Sequence, residues 1–118
     1  MKKIYVLGTC TTCTRILKEL DIENKGFEIQ DIKTNSITKK QIEEMFAISG
    51  SYDTLFSRRA MKYKSMGLKD KNLSEEDYKN LILEEYTFLK RPVAIIGEEI
   101  YIGNSKKVVE ALGNKINE

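Results

Sequence analysis

An α/β fold, a mixed four-stranded sheet with flanking helices and a helical insertion, is what this chain predicts. Three observations carry that expectation. An apolar run near the N-terminus passes directly into a helical stripe, two further apolar runs flank a glycine near the C-terminus, and the stretch between reads as helix after helix. A length of 118 residues suits one domain with its own core, expected to span 1–118 with the helical insertion at about 38–90.

The first strand is Ile4 to Leu7, four consecutive apolar residues, two of them β-branched, stopped by Gly8. Cys13, Ile16, Leu17 and Leu20 then recur at i, i+3, i+4 and i+7, which predicts a helix from about Thr11 to Leu20. Phe27 to Ile32 begins in period-two alternation and reads as a second strand. Thr38 and Gln41 have the spacing of a capping box, with Ile37 and Ile42 placed as a hydrophobic staple; Ile42, Met45 and Phe46 continue the helical face to Gly50. Leu55 to Met66 is expected to form one further helix closed by Gly67, and Lys69 to Asn72 a polar connection.

Ser74 with Asp77 opens another helix whose apolar positions are Tyr78, Leu81, Ile82 and Tyr86. Val93 to Ile96 and Ile100 to Ile102, separated by Gly97-Glu98-Glu99, predict a β-hairpin, and Ser105 can cap a last helix carrying Val108, Val109 and Leu112. The order is therefore β-α-β, a helical stretch, then β-β-α. That is the thioredoxin-like order with helices inserted in its middle.

Composition excludes more than it identifies. A net charge of +2 with 32% charged residues offers no basic field for direct nucleic-acid binding, and the few apolar residues after Met1-Lys2-Lys3 make neither a signal-peptide core nor a membrane span. A cytoplasmic location is the expectation, and the lack of a long exposed apolar stripe favours a monomer. In a reducing compartment the pair Cys10-Thr11-Thr12-Cys13 is better read as catalytic, redox-sensing or metal-binding than as a structural disulfide. The chain has no histidine, so zinc would need carboxylates or a partner's ligands, an unusual set, and a Cys-His nucleophile pair is ruled out.

An activated thiol must then take its thiolate character from a helix N-terminus and from a nearby Lys or Arg. Cys10, at the start of the predicted helix, faces the unpaired N–H groups of its first turn; Cys13, on the apolar stripe, is the more buried and suits a resolving role. Arg91-Pro92 holds the only proline, immediately before the strand Val93 to Ile96.

Cys10-Thr11-Thr12-Cys13, the segment Leu55-Phe56-Ser57-Arg58-Arg59 leading to Tyr63 and Met66-Gly67-Leu68, and Leu89-Lys90-Arg91-Pro92 followed by Ile102-Gly103 together resemble the arsenate reductase family. That family also includes the Spx transcription regulators. The resemblance covers nearly the whole chain and implies a thioredoxin-like fold, a nucleophile at Cys10 and a cis bond before Pro92. It further implies oxyanion stabilisation by Arg91 and by Arg59, with Arg58 as its neighbouring candidate, and substrate contacts from Thr11, Thr12 and Pro92. No bound cofactor is implied; glutathione would be the thiol co-substrate, with glutaredoxin or thioredoxin as the recycling partner. Thr14 stands where the family often has arginine, and Gly103-Asn104 where well-studied reductases supply a third one, so the grip on a tetrahedral oxyanion is weaker here.

Two functions follow as expectations, beside a third reading of a catalytically idle thioredoxin-like domain. One is a thiol-dependent reductase of arsenate or a related small oxyanion or thiol substrate. The other is a Spx-like redox switch that binds the C-terminal domain of the RNA polymerase α subunit, with Gly50 near the contact. Against the second, no basic extension follows the last helix and Ala47-Ile48-Ser49 lacks an acidic lead-in.

Overall fold

The structure, a computed structural model, describes residues 1–118. It divides into two units, Met1–Ser36 with Arg91–Glu118, and Ile37–Lys90. No helix is long and apolar enough to cross a membrane.

The first unit contains the sheet, in the order β2-β1-β3-β4, from β1 (Lys2–Val6), β2 (Glu28–Asp31), β3 (Val93–Ile96) and β4 (Glu99–Ile102). The mixed four-stranded α/β class expected from sequence is thus the one observed. The uninterrupted apolar run explains the central place of β1, which is covered on both faces: Ile4, Tyr5, Val6 and Leu7 are all buried. It pairs in parallel with β2, Ile4 opposite Ile29 and Val6 opposite Asp31. On its other side it runs antiparallel to β3, with Ile4 opposite Ala94 and Tyr5 opposite Val93. The β3–β4 hairpin is one residue tighter than expected, since Glu99 already pairs with Ile96 and leaves Gly97-Glu98 as the turn.

Helices α1 (Thr11–Glu19) and, near the C-terminus, Lys106–Ile116 supply the apolar stripes for this sheet. Ile4, Val6, Cys13, Ile22, Ala94 and Leu112 form one buried cluster, with Leu17, Leu20 and Ile116 packed at its margin. Each fully buried aliphatic chain of this kind contributes about 1.5–3 kcal/mol.

The second unit is helical, with α2 (Lys39–Ser49), α3 (Tyr52–Leu55), α4 (Met61–Ser65) and α5 (Glu75–Glu84); the C-terminal helix of the sheet unit is therefore α6. Both expected capping boxes form, Thr38 with Gln41 at the start of α2 and Ser74 with Asp77 at the start of α5. The α2 helix ends at Gly50 as expected.

Two helical expectations fail. The single helix predicted over Leu55 to Met66 is two short helices, because Phe56 is extended and forms a bridge with Leu89. The Ser57 N–H donates to the Phe88 carbonyl at 2.7 Å and the Lys90 N–H to the Leu55 carbonyl at 2.8 Å, taking up backbone groups on both sides of Phe56. Phe56 is fully buried and stacks on Phe88 at 5.0 Å, with Tyr78 at 4.9 Å and Tyr63 at 6.0 Å. Burial of that ring outweighs the weak local preference for continuing a helix. Similarly α5 stops at Glu84, and Tyr86 lies in a separate 3-10 turn, not on the α5 stripe. Lys79, polar in any sequence pattern, is buried on α5, where its ammonium pairs with Glu43 at 3.0 Å and lies over the Tyr52 ring.

Candidate active site

Where β1 leaves the sheet, the chain turns sharply to start α1. Gly8 leaves room for the Asp31 carboxylate at the end of the neighbouring strand, which a Cβ there would strike. That carboxylate is itself fixed, accepting the Lys33 N–H at 3.0 Å. The Cys10 N–H closes the turn on the Leu7 carbonyl at 2.9 Å, and the Cys10 carbonyl takes the Thr14 N–H at 3.1 Å as the first bond of the helix.

Cys10 therefore occupies the N-cap of α1, with an extended backbone and its side chain where a cap oxygen normally sits. A thiol is a poor acceptor and makes no cap hydrogen bond. A thiolate is a good one. Burial works against ionisation of Cys10, yet the Cys13 and Thr12 N–H groups, the Cys13 thiol and the Arg91 side chain all favour the anion, and together they hold Cys10 below the ordinary thiol range.

Cys13 is the mirror case. It is 1% exposed, and burial, reinforced by the negative charge of Cys10, pushes its thiol up to about 11. A proton is thus shared unequally by two thiols: retained on the inner sulfur and donated towards the outer one. The half-exposed Cys10 can meet a reactant, whereas Cys13 is inside the cluster that holds the sheet unit together.

The register of the sheet explains how Arg91 comes to this place. Because β3 runs antiparallel to β1 with Val93 opposite Tyr5, residues entering β3 lie at the same sheet end as those leaving β1. Arg91-Pro92, joined by a cis peptide bond, is that entry. Pro92 is buried and its carbonyl accepts the Gly103 N–H at 2.9 Å. Thr11 is exposed and Thr12 half-buried in the first turn of α1, while Arg15 points along the helix to Glu19 at 3.7 Å.

Cys10, Thr11, Thr12, Cys13, Arg91 and Pro92 are thus brought together within the sheet unit. Arg58 and Arg59 belong to the helical unit. Arg58 donates to Asp53 at 2.7 Å and to the Tyr78 hydroxyl at 2.9 Å and lies over the rings of Phe56 and Tyr78; the Asp53 hydrogen bond, foremost, raises its pKa further. Arg59 is exposed, with its backbone N–H directed to Ser57 Oγ at 3.4 Å. Lys62 is paired with Glu85 at 2.7 Å. The Asp31 carboxylate beside the site was not found by sequence reasoning; the only trace of it was the glycine directly after a buried strand.

The chain is similar to several known proteins. The protein YusI of Bacillus subtilis (strain 168) is 27% identical over 102 residues, 84% of this chain and 86% of its own. The global transcriptional regulator Spx of Streptococcus pneumoniae (strain R6) is 20% identical, over 94% of this chain and 84% of that protein. Among solved structures, a possible arsenate reductase from Streptococcus mutans UA159 superposes with a TM-score of 0.75 at 29% identity, covering 95% of this chain and 97% of the other. The model of the ArsC family matches residues 5–112, almost from the first strand to the last helix, and on that ground the chain belongs to the ArsC family.

Proposed function

We propose that the protein is a cytoplasmic thiol-dependent reductase, acting as a monomer, in which Cys10 attacks arsenate or a related small substrate. The observation that carries this reading is the placement of two thiols three residues apart, a half-exposed one at the N-cap of α1 beside the Arg91 side chain and a buried one on the core face of the helix. Such an arrangement readies one sulfur as nucleophile and keeps the other as a protonated reserve.

In the first step the Cys10 sulfur donates an electron pair to arsenic(V) and one oxygen departs as water after protonation. Arg91 and the Thr12 and Cys13 N–H groups oppose the negative charge of the bound oxyanion, with Thr11, Thr12 and Pro92 shaping its seat. In the second step a thiolate attacks the Cys10 sulfur. Arsenic leaves with the bonding pair as arsenite, and the two sulfurs, each having given up one electron, remain as a disulfide. The attacking thiol is glutathione or Cys13. Glutaredoxin or thioredoxin then reduces the disulfide.

The test is arsenate-dependent NADPH oxidation with glutathione, glutaredoxin and glutathione reductase supplied. Turnover is expected from the wild type and none from Cys10→Ser; the Cys13→Ser rate reports whether the inner thiol or glutathione resolves the adduct. Wild-type turnover at background would eliminate arsenate as the substrate.

A second reading is supported by the Spx relatives, which align over 87% to 94% of the chain. In it, the cysteine pair is a redox switch and the partner is the C-terminal domain of the RNA polymerase α subunit. Redox-dependent binding of that domain to the purified protein separates it from the enzyme.

A further inference from the structure

Asn104 stands between two residues with evident tasks. Gly103 has φ 89°, a left-handed conformation that a side chain would strain, and it turns the chain out of β4. Ser105 caps α6, its hydroxyl accepting the Val108 N–H at 3.2 Å. Asn104 neither turns the chain nor caps the helix. Its Nδ2 donates instead to the Arg91 carbonyl at 3.4 Å, while the Gly103 N–H donates to the Pro92 carbonyl at 2.9 Å. Two consecutive residues of the β4–α6 loop therefore hold two consecutive carbonyls of the segment that bears the Arg91 side chain.

We infer that Asn104 is a positioning residue: by holding the Arg91 carbonyl it fixes the backbone from which the Arg91 guanidinium reaches Cys10. This rests on the reading of Cys10 as nucleophile and Arg91 as its cation. A neutral amide suits the task. It donates to a carbonyl without placing a carboxylate beside the guanidinium or adding a second cation that would compete for the sulfur. The bond is exposed, so its removal acts on the direction of the Arg91 side chain far more than on folding.

The experiment is the rate of Cys10 alkylation by iodoacetamide as a function of pH, in a Cys13→Ser background so that one thiol reports. Asn104→Ala is expected to move the midpoint to higher pH and to slow alkylation at pH 7 about threefold to tenfold, with the melting temperature unchanged. Asn104→Gln, which keeps the donor amide, is expected to recover most of the rate. Combined with Arg91→Ala, Asn104→Ala is expected to add nothing, because its effect passes through the arginine. The inference is overturned if Asn104→Ala alkylates like its parent, or if its full effect persists without Arg91. An unmoved profile for Arg91→Ala alone would instead overturn the assignment of Arg91 to Cys10, and the inference with it. Arsenate does not enter this assay, so its outcome is separate from that of the turnover test.

Discussion

The sheet unit and the helical unit both carry basic side chains, but they use them differently. In the helical unit Arg58, Lys62 and Lys79 each face a carboxylate, from Asp53, Glu85 and Glu43 in turn, and two of the three also lie over aromatic rings. In the sheet unit Lys3, Arg15 and Lys115 likewise face carboxylates, from Glu28, Glu19 and Glu99 in turn, but Arg91 is directed to a thiol at a helix N-terminus. A cation matched by a carboxylate is spent on structure. A cation matched by a group that ionises with difficulty changes the chemistry of that group. The chain's reactivity is accordingly concentrated where a cation meets a thiol in place of a carboxylate, and the helical unit's aromatic rings meet around Phe56.

The largest expected effect tests the second half of that contrast. Phe56→Ala removes a fully buried ring stacked on Phe88 and is expected to destabilise the protein by about 3–5 kcal/mol in urea denaturation. A loss under about 1 kcal/mol would mean that the cluster around Phe56 does not organise its unit.

Next comes the pH dependence of the sheet unit. The native state holds the Cys13 proton more tightly than the unfolded chain does, up to about 11. The stability this supplies is complete below the ordinary thiol pKa and disappears as pH rises through the native value. In a Cys10→Ser background, which removes the partner thiolate but leaves the burial, stability is expected to fall over that alkaline window. Cys13→Ala in the same background is expected to fall less steeply. Parallel curves from pH-dependent denaturation would show that burial of Cys13 has no electrostatic consequence.

A smaller effect is expected at the caps. Ser74→Ala removes the hydroxyl that accepts the Asp77 N–H at 3.2 Å and is expected to cost about 1 kcal/mol, measured by thermal melting. The smallest is expected from Lys62→Ala. Its pair with Glu85 is well solvated on the lysine side, so the melting temperature is expected to stay within error and the alkylation rate of Cys10 to be unaltered. A clear slowing of Cys10 there would break the division between structural and chemical cations.

Much of the molecule was legible before the fold was known, and the legible parts share a cause. The strands Lys2–Val6, expected over Ile4 to Leu7, and Val93–Ile96, the stripe of α1, the boxes at Thr38 and Ser74 and the end of α2 at Gly50 all arise from interactions within a few residues. The same holds for the order of burial within the cysteine pair, because Cys13 lies on the apolar stripe and Cys10 precedes it. The break at Phe56, the burial of Lys79 and the carboxylate beside Gly8 left no comparable trace, each depending on a partner remote in sequence: Leu89, Glu43 and Asp31.

By itself, then, the sequence determined the elements, their caps and the presence of a thiol at a helix N-terminus, since periodicity, side-chain hydroxyls and glycines act over one or two turns. Only the tertiary structure decided which cation serves that thiol. Arg91 reaches Cys10 because β3 pairs antiparallel with β1 and brings the start of one strand to the end of the other, and Asn104 reaches Arg91 because the hairpin returns the chain to the same sheet end. Strand pairing joins residues at any separation along the chain, and no local pattern records which carbonyl or which sulfur a side chain will meet.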